Sequence, residues 1–288
     1  MDPLDFIVFF FYVLIYYLFF SFNRKKIKNI RLQKYHSNAF WLKVFASLCY
    51  ALFVLYISLG DSTTLYFPEG HHLYKSILND PSKFHLLFMD GTAFDSSMLD
   101  NPHQIGYFSD ASNLFVIKIT ALLCFFTFGQ YLALNLTFAM IAFSGVWKLY
   151  RFFCNQFPDL DKQFAIAILY LPTFVFWSSG ILKEPFVIGA LGWLTYSLYQ
   201  LMYERKRIII NSLRVFICIY IFTLVKIYIL VAYLPAFALF LLLKNASLIK
   251  NIFGKILLII GFMTVSIFFF TRVADNTETL EGYTGNDL

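Results

Sequence analysis

Charge is what this chain has least of. Only 14% of its 288 residues are Asp, Glu, Lys or Arg, where a soluble globular domain carries about a quarter. That scarcity excludes an ordinary soluble domain. Strict alternation of polar and apolar residues is also missing, which argues against a transmembrane β-barrel. Cysteine pairs at metal or redox spacing are missing as well. Cys49, Cys124, Cys154 and Cys218 each lie in or beside an apolar run, and none has CxxC spacing. Neither a zinc site nor a disulfide framework is expected. The first five residues hold two acids and no base, unlike the basic start of a secretory signal peptide. No inverted internal repeat of the kind that marks many transporters is visible.

What is there is apolar. Hydrophobic residues make up 59% of the chain, and the mean hydropathy is +0.67. Apolar runs near 20 residues recur, the length needed to cross a hydrocarbon core. The expected fold is an all-α polytopic membrane protein of about eight spans. Its net charge of +6 sits in short loops between the runs. There it sets orientation, so the expected partner is the lipid bilayer and not nucleic acid.

Leu4–Phe22 reads as the first span. Arg24, Lys25, Lys26, Lys28, Arg31 and Lys34 follow with no acid among them. By the positive-inside rule this loop is cytoplasmic and the N-terminus lies outside. Val44–Leu59 then runs outward, with Trp41 and Tyr56 as interface anchors. The loop Gly60–Asp110 carries seven acids against Lys75 and Lys83, with four of the five histidines: His71, His72, His85 and His103. A loop of roughly fifty residues should be functional or carry helices of its own. Prolines and glycines divide it, and at least two short helices along the membrane are expected, one near Leu73–Leu78.

Ala111–Phe128 is long enough to cross but carries Lys118. Laying it in the outer interface keeps Lys148, Arg151 and the Glu204–Arg207 cluster on the cytoplasmic side. Lys148–Gln163 is then a connector, and Phe164–Trp177 an outward span. Ser178–Pro185 forms an outer turn, and Phe186–Tyr203 returns. Ile208–Val225, Tyr228–Leu243 and Ile252–Thr271 complete the set, and Arg272–Leu288 is a polar, acidic outer tail. The expected division is 1–43 (first span and basic loop), 44–271 (membrane core with outer loop 60–110) and 272–288 (tail).

This topology brings Asp61, Lys118, the Ser178–Glu184 turn and Lys226 to one face. Cations at the edge of an apolar bundle suit a phosphate whose lipid tail stays in the bilayer. A carboxylate there suits removal of a proton from a hydroxyl, or the holding of a divalent metal, Mg or Mn. Plainer readings stand beside these. Gly60 ends a helix, and Asp61 with Ser62 caps the next. Lys118 and Lys226 snorkel near helix ends. Ser178–Pro185 joins two helices, with Lys183 and Glu184 paired to each other.

The layout resembles the GT-C superfamily of membrane glycosyltransferases, including its dolichyl-phosphate-mannose and undecaprenyl-phosphate-sugar branches. Gly60-Asp61-Ser62 with Tyr66-Phe67 is similar to the acidic residue that opens that family's first outer loop. Lys118–Leu123 through Tyr131, then Trp147–Arg151, resembles the helix pair after that loop. Leu171–Pro185 looks like a signature of bacterial members. Three features depart from the pattern: an extra leading span, a lone acid, and an end after about eight spans, as in a divergent, shortened bacterial member. The resemblance implies sugar transfer from a polyprenyl-phosphate donor to a saccharide or lipid acceptor of the cell envelope, at the outer face of the inner membrane. It implies Asp61 as base or metal ligand, with Lys183, Lys118, Glu184 and Lys226 as substrate contacts. The non-enzymatic alternative is a carrier, flippase or assembly subunit for lipid-linked saccharides, using the same cations.

Overall fold

The computed structural model describes residues 3–91 and 110–245, with positions 261 and 264. Apart from positions 261 and 264, the expected span Ile252–Thr271 lies outside the described residues, as do the acidic tail and loop positions 92–109, His103 included. The described residues form helices α1 (Pro3–Lys25), α2 (Ile30–Tyr56), α3 (Phe67–Asn79), α4 (Ala111–Thr127) and α5 (Tyr131–Gln156). They continue with α6 (Asp161–Phe164), α7 (Pro172–Trp177), α8 (Glu184–Tyr199), α9 (Ile208–Val225) and α10 (Ile227–Asn245), and no strand occurs among them. Among the described residues, five helices are long and apolar enough to cross a membrane: α1, α2, α5, α9 and α10. This is an all-α, multi-pass membrane protein. The apolar faces that α1 and α9 leave exposed, with Phe10, Phe11, Leu14 and Phe19 on one and Leu213, Phe216 and Tyr220 on the other, suit lipid better than water.

α5 is the central post. Leu132, Leu134, Leu136, Phe138, Ala139 and Phe143 on it are almost wholly buried, and α1, α2 and α8 pack around it. α8 comes closest. A Cβ at Gly145 would lie 1.9 Å from the Gly189 carbonyl oxygen, and one at Gly192 would lie 1.9 Å from that of Gly145. Small residues let the two backbones meet, the usual device for helix pairs in lipid.

Three boundaries differ from the sequence reading. α2 begins at Ile30, not Val44, because the Asn29 side chain accepts from the Arg31 amide at 2.9 Å and caps the helix there. The basic stretch therefore enters α2, and the expected division at 43/44 falls inside a helix. α5 runs on to Gln156, so Lys148 and Arg151 are helical and the connector begins later. The expected continuous span Phe164–Trp177 is broken. A π-helical turn at Ala165–Leu169 ends at Tyr170, and α7 restarts at Pro172. Proline disfavours the helical region for the residue before it, and Leu171 is extended with ψ 115°.

α4 starts and ends at the same end of the bundle. At its start, Ser112 accepts from Lys183 just ahead of α8. At its end, Phe126 accepts from Tyr12 of α1 at 2.5 Å. Phe128, with φ 55°, and Gly129 then turn the chain straight into α5, whose first amide donates to Asp5 at the start of α1. α4 packs mainly on α3. Gly70 of α3 is pressed onto Thr120, where a Cβ would come within 2.5 Å of Cγ2.

Candidate functional site

The break after α7 is buried inside the bundle. Ser178, Ser179 and Ile181 are fully enclosed, and a Cβ at Gly180 would lie 1.9 Å from the Tyr50 ring. Non-helical backbone at such depth must have its polar groups satisfied by protein. Two side chains do so. Lys43 of α2 donates to the carbonyls of Val175 at 3.2 Å and Ser178 at 2.9 Å, to Ser179 Oγ at 3.1 Å, and to Ser178 Oγ. Asn135 of α5 accepts from the Ile181 amide at 2.9 Å. An ammonium at a helix C-terminus also complements the helix dipole.

Beyond this turn the chain emerges into a cleft of about 620 Å³, walled by Asp110, Ser112, Lys183, Thr223, Lys226 and Tyr228. Lys183 does not pair with Glu184, as the plainer sequence reading had it. Its ammonium donates to Ser112 Oγ at 2.5 Å and lies 3.7 Å from Asp110. Glu184 pairs with Lys226 at 2.9 Å. All four charged groups are partly exposed, so each keeps access to solvent. Burial alone would raise the Asp110 carboxyl. The bonds from Ser112 and the charge of Lys183 outweigh it and hold the group below its ordinary value.

Lys118 lies in an adjoining cleft of about 610 Å³ that shares Ala111 and Leu224 with the first. It donates to the Met89 carbonyl. Burial lowers its pKa, and the charge of Asp90 opposes that shift. The structure thus brings Lys183 and Lys226 to one cleft, with Glu184 paired to Lys226, and sets Lys118 in the next.

Asp61 lines neither cleft. It is exposed and makes no side-chain cap bond to the π-turn Ser62–Tyr66 that it precedes. Thr63 and Thr64 instead bond back to the Gly60 carbonyl, each at 3.1 Å. The capping reading is therefore not what the structure has. Tyr66, at the end of that π-turn, is buried and reaches the start of α4. Its hydroxyl donates to Asn113 at 3.0 Å. Burial raises its pKa, and the charges of Asp61, Glu184 and Asp110 add to that. All three carboxylates therefore act on one phenol.

Sequence reasoning missed Lys43, Asn135 and Glu69. Lys43 and Asn135 each sit alone in an apolar stretch, which is the signal that could have found them. Glu69, on α3, is almost fully buried with Oε2 unpartnered, and burial pushes its carboxyl up to about 7. His71 stacks on Phe67 at 5.4 Å and packs under Gly129, which accounts for it as a packing residue.

Among the described residues no three His, Cys, Asp or Glu side chains converge on a common point. The carboxylates nearest Tyr66 besides Asp61 are each held by a lysine. Among the described residues, a divalent metal at Asp61 would find that one carboxylate, fewer ligands than Mg or Mn usually takes.

The chain matches no family model, no curated protein and no solved structure. Its functional reading rests on the cleft alone.

Proposed function

We propose that this protein is a membrane glycosyltransferase of GT-C-like architecture, moving a sugar from a polyprenyl-phosphate donor to a cell-envelope acceptor. The observation that carries the reading is the pair of lysines, Lys183 and Lys226, from different elements in one cleft of about 620 Å³. Each meets a partly exposed carboxylate. A phosphate entering there exchanges a weak, solvated ion pair for a charge-assisted contact with a doubly placed cation. The lipid tail stays against the apolar helices. In the transfer step the bond from the anomeric carbon to the donor phosphate breaks. A bond to the acceptor oxygen forms, and the leaving phosphate takes its charge onto the lysines; Asp61 lies outside the cleft lining, so on this reading the acceptor enters from its side and passes its proton to it. Lys118 extends the cationic lining into the neighbouring cleft.

On this reading the basic end of the bundle faces the cytoplasm. The cleft and the N-terminus then face outward from the inner membrane, and α3 and α4 lie along that surface. The test is incubation of purified protein with radiolabelled polyprenyl-phosphate sugars and envelope acceptors, with Asp61→Asn and Lys183→Gln alongside. No transfer with any donor sinks the enzyme reading.

One observation favours the carrier reading: the break buried between α7 and α8, held by Lys43. Discontinuous helices at membrane depth are a transporter feature. Vesicles that move labelled lipid-linked sugar across the bilayer without hydrolysing or transferring it would select the carrier.

A further inference from the structure

The opposite end of the bundle, where α1 stops and α9 starts, holds a cavity that the proposal above does not use. It has a volume of about 350 Å³ and lies between α1, α5 and α8, with Lys26, Lys148, Arg151, Trp147 and Trp193 in its wall. Its charge is all of one sign. Lys148 Nζ stands 4.8 Å from the Trp193 ring centre and 4.7 Å from that of Tyr196, and Arg214 stands 4.7 Å from Trp193. The charges that act on Lys148 are those of Arg214, Arg151 and Arg207, every one positive. Of the acids at this end, Asp161 is paired with Arg31 at 3.1 Å and Glu204 with Lys206 at 2.9 Å. None of these acids, nor the exposed Asp159, lines the cavity. The Nε of Arg151 is buried with no partner among the described residues.

Cations gathered this way repel one another, and a buried donor left unpaired is costly. The arrangement calls for an anion that the described chain does not supply. An apolar cavity of about 240 Å³ adjoins the cationic one between α5, α8 and α9. The two share Ser144 and Trp193, whose indole N–H donates to the Ser144 hydroxyl at 3.1 Å. Phe186, Ala190, Ile217 and Ile221 line the apolar part. A cationic pocket joined to a greasy slot, at the boundary of a lipid-facing bundle, matches a phosphate head with a hydrocarbon chain beside it.

We infer that this is a binding site for an anionic glycerophospholipid of the surrounding bilayer. The phosphate sits on Lys148 and Arg151, and one acyl chain lies along Ile217 and Ile221. The inference is independent of sugar transfer, because it uses none of the residues of the Lys183 cleft.

The experiment is native mass spectrometry of the purified full chain, offered phosphatidylglycerol, phosphatidylcholine or a polyprenyl phosphate at equal concentration. We expect one phosphatidylglycerol retained with about tenfold preference over phosphatidylcholine. Retention should fall about tenfold in a Lys148→Gln, Arg151→Gln double variant, and should be unchanged in Lys162→Gln, an exposed lysine at the same end. Ile217→Trp, which fills the slot and leaves every cation in place, should lose phosphatidylglycerol to the same extent. It serves as the test if the double variant fails to fold. Equal retention of phosphatidylcholine, undiminished binding in Ile217→Trp, or complete displacement by inorganic phosphate would each overturn the lipid site. Preference for polyprenyl phosphate over phosphatidylglycerol would overturn the assignment to a bilayer phospholipid.

Discussion

Glu69 combines burial with the lack of a countercharge. Its carboxyl titrates near 7 in the folded protein, against an ordinary value near 4.3. A raised carboxyl keeps its proton in the native state where the unfolded chain has lost it, so stability falls as pH rises between those two values and is level beyond them. The expected loss is on the order of 3–4 kcal/mol. Thermal unfolding in detergent from pH 4 to 8 should show this fall in the wild type and a flatter curve in Glu69→Gln. Parallel curves would remove Glu69 from the account. Asp61 behaves differently. It has no cap bond to lose, so Asp61→Asn should leave the melting temperature unchanged. If Asp61 is the base, transfer should slow by about 10²–10⁴-fold, and a variant with full activity rules that role out. At Gly180, the Tyr50 ring fills the place of a side chain. Gly180→Ala should destabilise by about 1–3 kcal/mol, the range for overpacking. The acid of Gly60-Asp61-Ser62 was legible in the sequence as an acid near the end of an apolar run. That it does not cap was not legible, because a capping residue needs an extended backbone of its own, and Asp61 sits in the helical region with φ −52° and ψ −28°.

At the scale of elements, the α7–α8 break depends on α2 and α5. Lys43 satisfies carbonyls that a broken helix leaves open, and Asn135 satisfies an amide of the turn. Lys43→Met keeps the length of the side chain but strands the Ser178 carbonyl, while the Val175 carbonyl keeps the bond from Ser179 Oγ at 2.6 Å. The substitution should destabilise by about 2–4 kcal/mol, combining lost bonds with a buried unsatisfied group. Lys43→Gln should recover part of that by donating to one carbonyl. Equal stability in both variants, read from unfolding in detergent, would mean that the break is held by packing alone. The sequence shows Pro172, Gly180 and Pro185, and so shows that a joint exists. It does not show the depth of the joint, since Phe164–Trp177 is apolar enough to pass for a crossing helix.

Across the whole molecule, α4 decides the sidedness. Both of its ends meet the Asp5 end of the bundle, so residues before and after it lie at one end. A version without its native cysteines, given a single cysteine at Ser82 or at Lys206, should label from opposite sides of a vesicle. With the basic end inside, Ser82 is modified from outside and Lys206 is not. Labelling of both from one side contradicts the arrangement, and exchanged labelling reverses the orientation.

The amino-acid sequence by itself determined the class of the protein. Apolar runs of spanning length and a charge too sparse for a soluble surface admit a helical membrane bundle, because a chain in hydrocarbon must satisfy its own backbone. The sequence also settled where α1, α9 and α10 lie to within a few residues, since each is a plain apolar run. Only the tertiary structure decided which charges meet. Lys183 finds Asp110 and Lys226 finds Glu184 across separate helices. Lys43 turns into a buried break, and Lys148 and Arg151 gather with arginines from the first half of α9 and its approach. Those partners are more than twenty positions apart in most cases, and hydrophobic periodicity carries no information about which polar residues two packed helices bring face to face. That is fixed by the close approach of backbones at Gly145 and Gly192 and by the depth to which each helix is inserted.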